Sequence, residues 1–238
     1  MNQELFIFNI SLFFFGIVEL IISIILLIQI LKSDKIARPF LNSVFIYFFL
    51  LTIANFQQVY YNIINFSDIV KTAELRIYTT FWVFLLTLSA PIYLTYEIEK
   101  LFFQGKSIIS KKHIFTIISL LLFGYYLYIM FLEVIKDINF VNTFVLANYM
   151  FAIIPLLAFQ VLLFIFAFLY LAIKTTEKYR TYSLFVSLGW LLNYAINTIV
   201  TLVETIAPIL VIILLIPKLL GVIITAIGFY KLYMLKRI

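Results

Sequence analysis

Two ionisable side chains stand in apolar stretches that should carry none: Glu19, thirteen residues before Lys32, and Lys218, thirteen residues before Lys231. Thirteen residues of α-helix rise ~20 Å, and the hydrocarbon core of a bilayer is roughly 30 Å thick. If Lys32 and Lys231 mark one membrane surface, the acid and the amine therefore lie at equal depth near the midplane. A lysine there costs roughly 2.5 to 3.5 kcal/mol on insertion scales, so it should face the protein and meet a partner. The expectation is a buried Glu19–Lys218 pair, made by the first and last helices of a closed bundle. Its chemistry is that of an ion pair kept from water, for which a ligand can compete.

The same depth count places a polar layer around this pair. It comprises Thr52 in the second apolar run, Thr87 and Ser89 in the third, Tyr125 and Tyr126 in the fourth, Gln160 in the fifth and Asn193 in the sixth. Trp190, Asn193 and Asn197 recur at spacings of three and four, which puts them on one helix face, with Thr201 extending it. Two readings apply to the neutral members: hydrogen-bonding glue between helices, or the wall of a central pocket. The candidate ligand-binding residues are Glu19, Gln160, Trp190, Asn193, Asn197 and Lys218.

Other chemistries lack their residues. With no cysteine there is no disulfide, thiolate nucleophile or cysteine-based metal site. His113 is the sole histidine; it adjoins Lys111 and Lys112, where headgroups rather than a metal are its expected neighbours, and one histidine cannot build a histidine-rich zinc site. Glu19 is the only deep carboxylate, since Glu133, Asp137 and Glu204 belong to outer helix ends and Glu97 and Glu99 to an inner one. No GxxxxGK phosphate loop occurs. The expectation is a protein that is not an enzyme.

The elements that must position these residues follow from composition. At 65% hydrophobic and 12% charged residues over 238 positions, the chain reads as one integral membrane domain, 1–238. Seven runs are long enough to cross: roughly 5–31, 40–64, 77–98, 114–135, 147–173, 182–203 and 206–230. The first is too long for a signal peptide's apolar stretch and lacks its basic lead, so it should remain as a helix. Lys32, Lys35, Arg38, Lys100, Lys106, Lys111, Lys112, Lys174, Lys178, Arg180, Lys231, Lys236 and Arg237 fall on one side, against Lys71, Arg76 and Lys136 on the other. The positive-inside rule then gives an outside N-terminus, a cytoplasmic C-terminus and a multi-pass cell-membrane protein. The net charge of +6 is thus a topology signal and a contact with anionic membrane lipids, with no nucleic acid needed.

Tyr60, Tyr61, Tyr78 and Tyr149 mark outer ends, and Tyr170, Tyr179, Tyr182, Tyr230 and Tyr233 inner ones. Pro91, Pro155 and Pro217 fall inside helices, where kinks are expected. Pro39 and Pro208 sit in first turns, where proline is tolerated. Short loops make consecutive helices antiparallel neighbours.

The layout resembles the seven-helix membrane sensor region of prokaryotic histidine kinases. The similar features are Ala37-Arg38-Pro39-Phe40 before the second helix, Pro91 in the third, Tyr179-Arg180 before the sixth, Gly189 and Asn193 within it, and the Lys231-Leu232-Tyr233 exit. This likeness implies an N-outside signal-input bundle that binds a small or lipid-like ligand. No kinase follows Ile238, so output is expected through a separate cytoplasmic signalling protein. The chain also resembles microbial rhodopsins, which would make Lys218 a retinal-linked lysine with Trp190, Tyr194 and Trp82 as chromophore-packing aromatics. Leu214 stands where their acid one turn before the lysine would be, so Glu19 would have to serve as counterion, or the Schiff base would be neutral. Without retinal no cofactor is expected. A third reading is a small-solute transporter of two parallel three-helix repeats, with Pro91 and Pro217 as corresponding kinks.

Overall fold

The computed structural model describes residues 3–33, 35, 38–64, 72–102, 113–135, 159, 161–175, 177–203 and 208–235. Gln160, Pro155, Tyr149, Lys71, Lys106, Lys111, Lys112, Lys136, Asp137, Glu204, Lys236 and Arg237 lie outside the described residues, as do the side chains of Asn197 and Tyr194. All regular structure among the described residues is helical: α1 Gln3–Lys32, α2 Arg38–Ile64, α3 Thr72–Phe102, α4 Ile114–Ile135, α5 Val161–Lys174, α6 Glu177–Val203 and α7 Pro208–Leu235. Three segments are long and apolar enough to cross a membrane, Asn9–Lys32, Arg38–Tyr60 and Ile213–Leu232, and Ile114–Tyr128 and Val161–Lys174 are shorter apolar helices. The all-helical, membrane-embedded character expected from composition therefore holds.

Helix α1 illustrates how the pattern becomes packing. Leu12, Phe15, Glu19, Ser23, Leu26 and Ile30 are buried and recur every three or four residues, so they form one stripe along a 3.6-residue helix. Phe13, Phe14, Ile21, Ile24, Ile28 and Leu31 lie exposed on the rest of the surface, as expected of side chains that meet lipid. The helix stops at Ser33, whose amide and hydroxyl both donate to the Ile30 carbonyl, at 3.2 and 2.8 Å. The Arg38 guanidinium then donates to the Ser33 carbonyl at 3.0 Å, which ties the end of α1 to the start of α2. Pro39 lies in the first turn of α2, and α3 and α7 continue through Pro91 and Pro217.

Consecutive helices pack as neighbours, α1 on α2, α2 on α3, α3 on α4 and α6 on α7, and the first helix also touches the last. The α6–α7 seam is the tightest of these because it is lined with glycine. A Cβ on Gly221 would lie 2.8 Å from the Gly189 carbonyl oxygen and 2.9 Å from the Asn193 amide nitrogen. One on Gly228 would lie 2.9 Å from the Val186 nitrogen. Without side chains at these positions the two backbones approach directly, the packing that holds helices together in lipid.

Six helices contribute to one core near the basic end, where α1, α3, α5 and α7 finish. Its members include Leu26 and Ile30, Tyr47 and Phe48, Leu94 and Ile98, Phe164 and Phe168, Val186 and Trp190, and Val222 and Phe229. Aromatic edges cross it: Phe229 meets Phe40 at 5.8 Å and Phe168 at 5.4 Å, and Trp190 meets Tyr47 at 5.2 Å and Phe164 at 4.4 Å between ring centroids. The Ser187 hydroxyl joins α6 to α5 by donating to the Ile165 carbonyl at 3.1 Å.

Candidate functional site

Glu19 occupies the buried stripe of α1, one turn from Phe15 and one from Ser23, and is 4% exposed. Its neighbour across the helix pair is Asn55, whose Nδ2 donates to Glu19 Oε2 at 2.7 Å. Hydrogen bonds to a charged acceptor are the stronger kind, and this one fixes the carboxylate from α2. The close approach of α1 and α2 here depends on Gly16, where a Cβ would fall 2.8 Å from the Phe56 ring. Phe13 packs on the same ring at 5.6 Å between centroids.

Lys218 approaches the same place from α7. Its Nζ lies 4.7 Å from the centroid of the Phe15 ring, within the range at which a cation is attracted to an aromatic face. Phe15 precedes Glu19 by one turn on the buried stripe of α1, and α1 packs on α7, so the ammonium and the carboxylate share the α1–α7 seam. The lysine is half-buried, whereas Glu19 is enclosed. The site is therefore a fixed carboxylate with an amide partner, an aromatic face, and an ammonium on a flexible four-carbon stem.

The other candidate residues stand at different places in the bundle. Asn193 is half-buried on α6, its backbone against Gly221, which is three residues or roughly 4.5 Å further toward the basic end than Lys218. Trp190 is 1% exposed in the core, with Tyr47 and Phe164 among its ring neighbours. Asn197 follows Asn193 by one turn of α6.

The serine and threonine hydroxyls of the polar layer find partners on their own helices. Thr52 donates to the Phe48 carbonyl at 2.9 Å, Thr87 to Val83 at 2.7 Å, and Ser89 to Leu86 at 3.1 Å. Ser23 likewise donates to the Glu19 carbonyl at 2.8 Å. A short hydroxyl reaches the carbonyl three or four residues back more readily than it reaches a neighbouring helix. The described glue between α1 and α2 is the Glu19–Asn55 bond instead.

A second polar cluster lies at the basic end of α3. Glu99, 1% exposed, accepts the Phe115 amide at 3.0 Å, the Thr116 amide at 3.1 Å and the Thr116 hydroxyl at 2.6 Å. These amides belong to the first turn of α4, which has no intrahelical acceptors for them, so a carboxylate from α3 caps α4. His113 precedes α4 with φ of 47°. Its ring packs on Tyr96 at 5.0 Å, and its Nδ1 is 3.9 Å from Glu99. The headgroup role expected for His113 thus meets a specific protein environment.

Sequence reasoning did not single out Asn55, Phe15 or the capping role of Glu99. Asn55 carried a signal, a polar residue one turn from Thr52 in an apolar helix, but its pairing with Glu19 depends on the α1–α2 register. Among the described residues no group of three His, Asp or Glu side chains could hold a metal. Comparison of the chain with family models, with characterised proteins and with solved structures yields no match.

Proposed function

We propose that the chain is a seven-span membrane sensor, N-terminus outside, in which a small or lipid-like ligand competes with the Glu19–Lys218 contact and the resulting helix shift is passed to a cytoplasmic signalling partner. The observation that carries this reading is a buried acid on α1 one turn from the Phe15 ring, over which the Lys218 ammonium of α7 lies at 4.7 Å, where the first and last helices touch. Ionisable residues inside a membrane are rare and mark sites of function. The Lys218–Phe15 contact joins α1, packed on α2, to α7, which packs on α6 through glycine. A break there lets two tightly packed groups move relative to each other. Such a shift requires the ligand to bind the two arrangements with different affinity.

The test uses the absence of native cysteine. Spin labels placed at the exposed positions Lys32 and Lys231 report the separation of α1 and α7 at the basic end. Glu19→Gln and Lys218→Met should each move the distance distribution to a second population, and Glu19→Gln alone should lower stability by about 3–5 kcal/mol, because a buried ion is left unpaired. The double change Glu19→Gln with Lys218→Met should recover the stability. Identical distributions in the wild type and both single variants would sink the sensor reading. A visible or near-ultraviolet band on adding retinal, abolished by Lys218→Ala, would move Lys218 to a Schiff-base role. Saturable solute uptake in proteoliposomes would make the site a transport site.

A further inference from the structure

We infer that the corner formed by Phe15, Glu19 and Asn55 recognises a primary ammonium carried on an apolar tail, and that the Lys218 ammonium is the built-in occupant which such a ligand displaces. This deepens the sensor reading and rests on it. The inference turns on which member of the pair is fixed. Glu19 is held by the Asn55 amide at 2.7 Å and is enclosed on the buried stripe of α1. Lys218 is half-buried, and its long stem lets the ammonium swing away while the methylenes stay in apolar surroundings. The lysine is therefore the partner that leaves.

What the lysine leaves behind has the chemistry of a cation site. The Glu19 carboxylate follows Phe15 by one turn on the same buried stripe, and the Nζ now lies 4.7 Å from the centroid of the Phe15 ring. The π-face of an aromatic ring is negative and attracts cations. An anionic headgroup entering the same corner would meet the carboxylate and the ring face together, both of the wrong sign. The Asn55 amide already gives one of its N–H groups to Glu19. The composition of the corner thus favours another ammonium over a carboxylate or phosphate.

Lys218 is half-buried and α7 packs on α1 there, so an amphiphile lying in the bilayer can bring its head to the corner while its tail stays in lipid. Exchange conserves the charge at Glu19, which avoids leaving a buried carboxylate unpaired.

The experiment compares three ligands with one tail, octylamine, octanoate and octanol, on the full chain in phosphatidylcholine nanodiscs at pH 7, read by thermal unfolding. Octylamine should raise the melting temperature of Lys218→Ala saturably. Its half-saturating concentration should be at least about tenfold lower than for the wild type, because the internal competitor is gone. Glu19→Gln should lose the response, and the double variant Glu19→Gln with Lys218→Met should show only the change that octylamine causes through the lipid. If Lys218→Ala yields no folded protein even when expressed with octylamine, the wild-type titration decides, through a shift that is present in wild type and lost in Glu19→Gln. Stabilisation by octanoate that depends on Lys218 would overturn the ammonium class while leaving the seam a ligand site. A lack of any response dependent on Glu19 or Lys218 for all three head groups would overturn both.

Discussion

At the scale of single residues, two of the three buried carboxylates among the described residues, Glu19 and Glu99, are used in opposite ways. Glu19 accepts from one side-chain amide and lies one turn from the ring that the Lys218 ammonium faces, whereas Glu99 accepts from three donors at the start of α4. Three donors from α4 hold Glu99 in place, with the His113 ring 3.9 Å away, and its place at a helix N-terminus adds the favourable end of the helix dipole. Its role is to attach α4 to α3. Glu99→Ala should cost about 1–2 kcal/mol, the range for losing a helix cap, and should speed amide exchange at Phe115 and Thr116. Glu99→Gln should retain part of the protection, because its carbonyl still accepts; exchange unchanged in both variants would remove the capping role. Glu19 and Lys218 stood out in the sequence because charge within an apolar run is conspicuous. Glu99 did not, because an acid near a helix end reads as ordinary until the next helix is seen to start against it.

At the scale of elements, the sequence announced the helices better than their seams. Apolar runs locate both ends of six helices and the C-terminal end of α5 within five residues, the start of the fifth run lying outside the described residues, and the helices exceed the runs where polar turns continue the coil, as from Thr72 into the third run or from Tyr230 to Leu235. The six glycines of the chain look alike in sequence, yet their surroundings separate them. At Gly189 an added Cβ would collide with Thr225 and the Gly221 carbonyl, whereas at Gly124 it would meet nothing within 4 Å. Gly189→Leu should therefore force α6 from α7 and destabilise by about 1–3 kcal/mol or more, the usual cost of overpacking. Gly124→Ala should leave stability equal or raise it by up to about 1 kcal/mol through helix propensity. Thermal unfolding of both variants in one detergent measures the contrast. Equal effects would mean that the α6–α7 contact is looser than its backbone separation indicates.

At the scale of the whole molecule, the core gathers toward the end that carries Lys32, Arg38, Lys174, Arg180 and Lys231, and the Glu19–Lys218 contact lies above it. Burying apolar surface adds little in lipid, since the surroundings are equally apolar; packing and polar contacts distinguish one arrangement from another. A displaced lysine therefore acts on the layer between a packed end and its opposite, a position suited to moving helices against a fixed base. The distribution of charge predicts that the basic end faces the cytoplasm, because basic residues near helix ends resist translocation. Single cysteines introduced into the cysteine-free chain make that assignment measurable. A membrane-impermeant maleimide should label cysteine at Ile63, an exposed position at the end of α2, in intact cells. It should label cysteine at Lys35 or Lys178, exposed at the basic end, only after permeabilisation. The reverse pattern would place the basic end outside, against the rule that lysine and arginine follow, and would put any signalling partner on the side where α2 finishes.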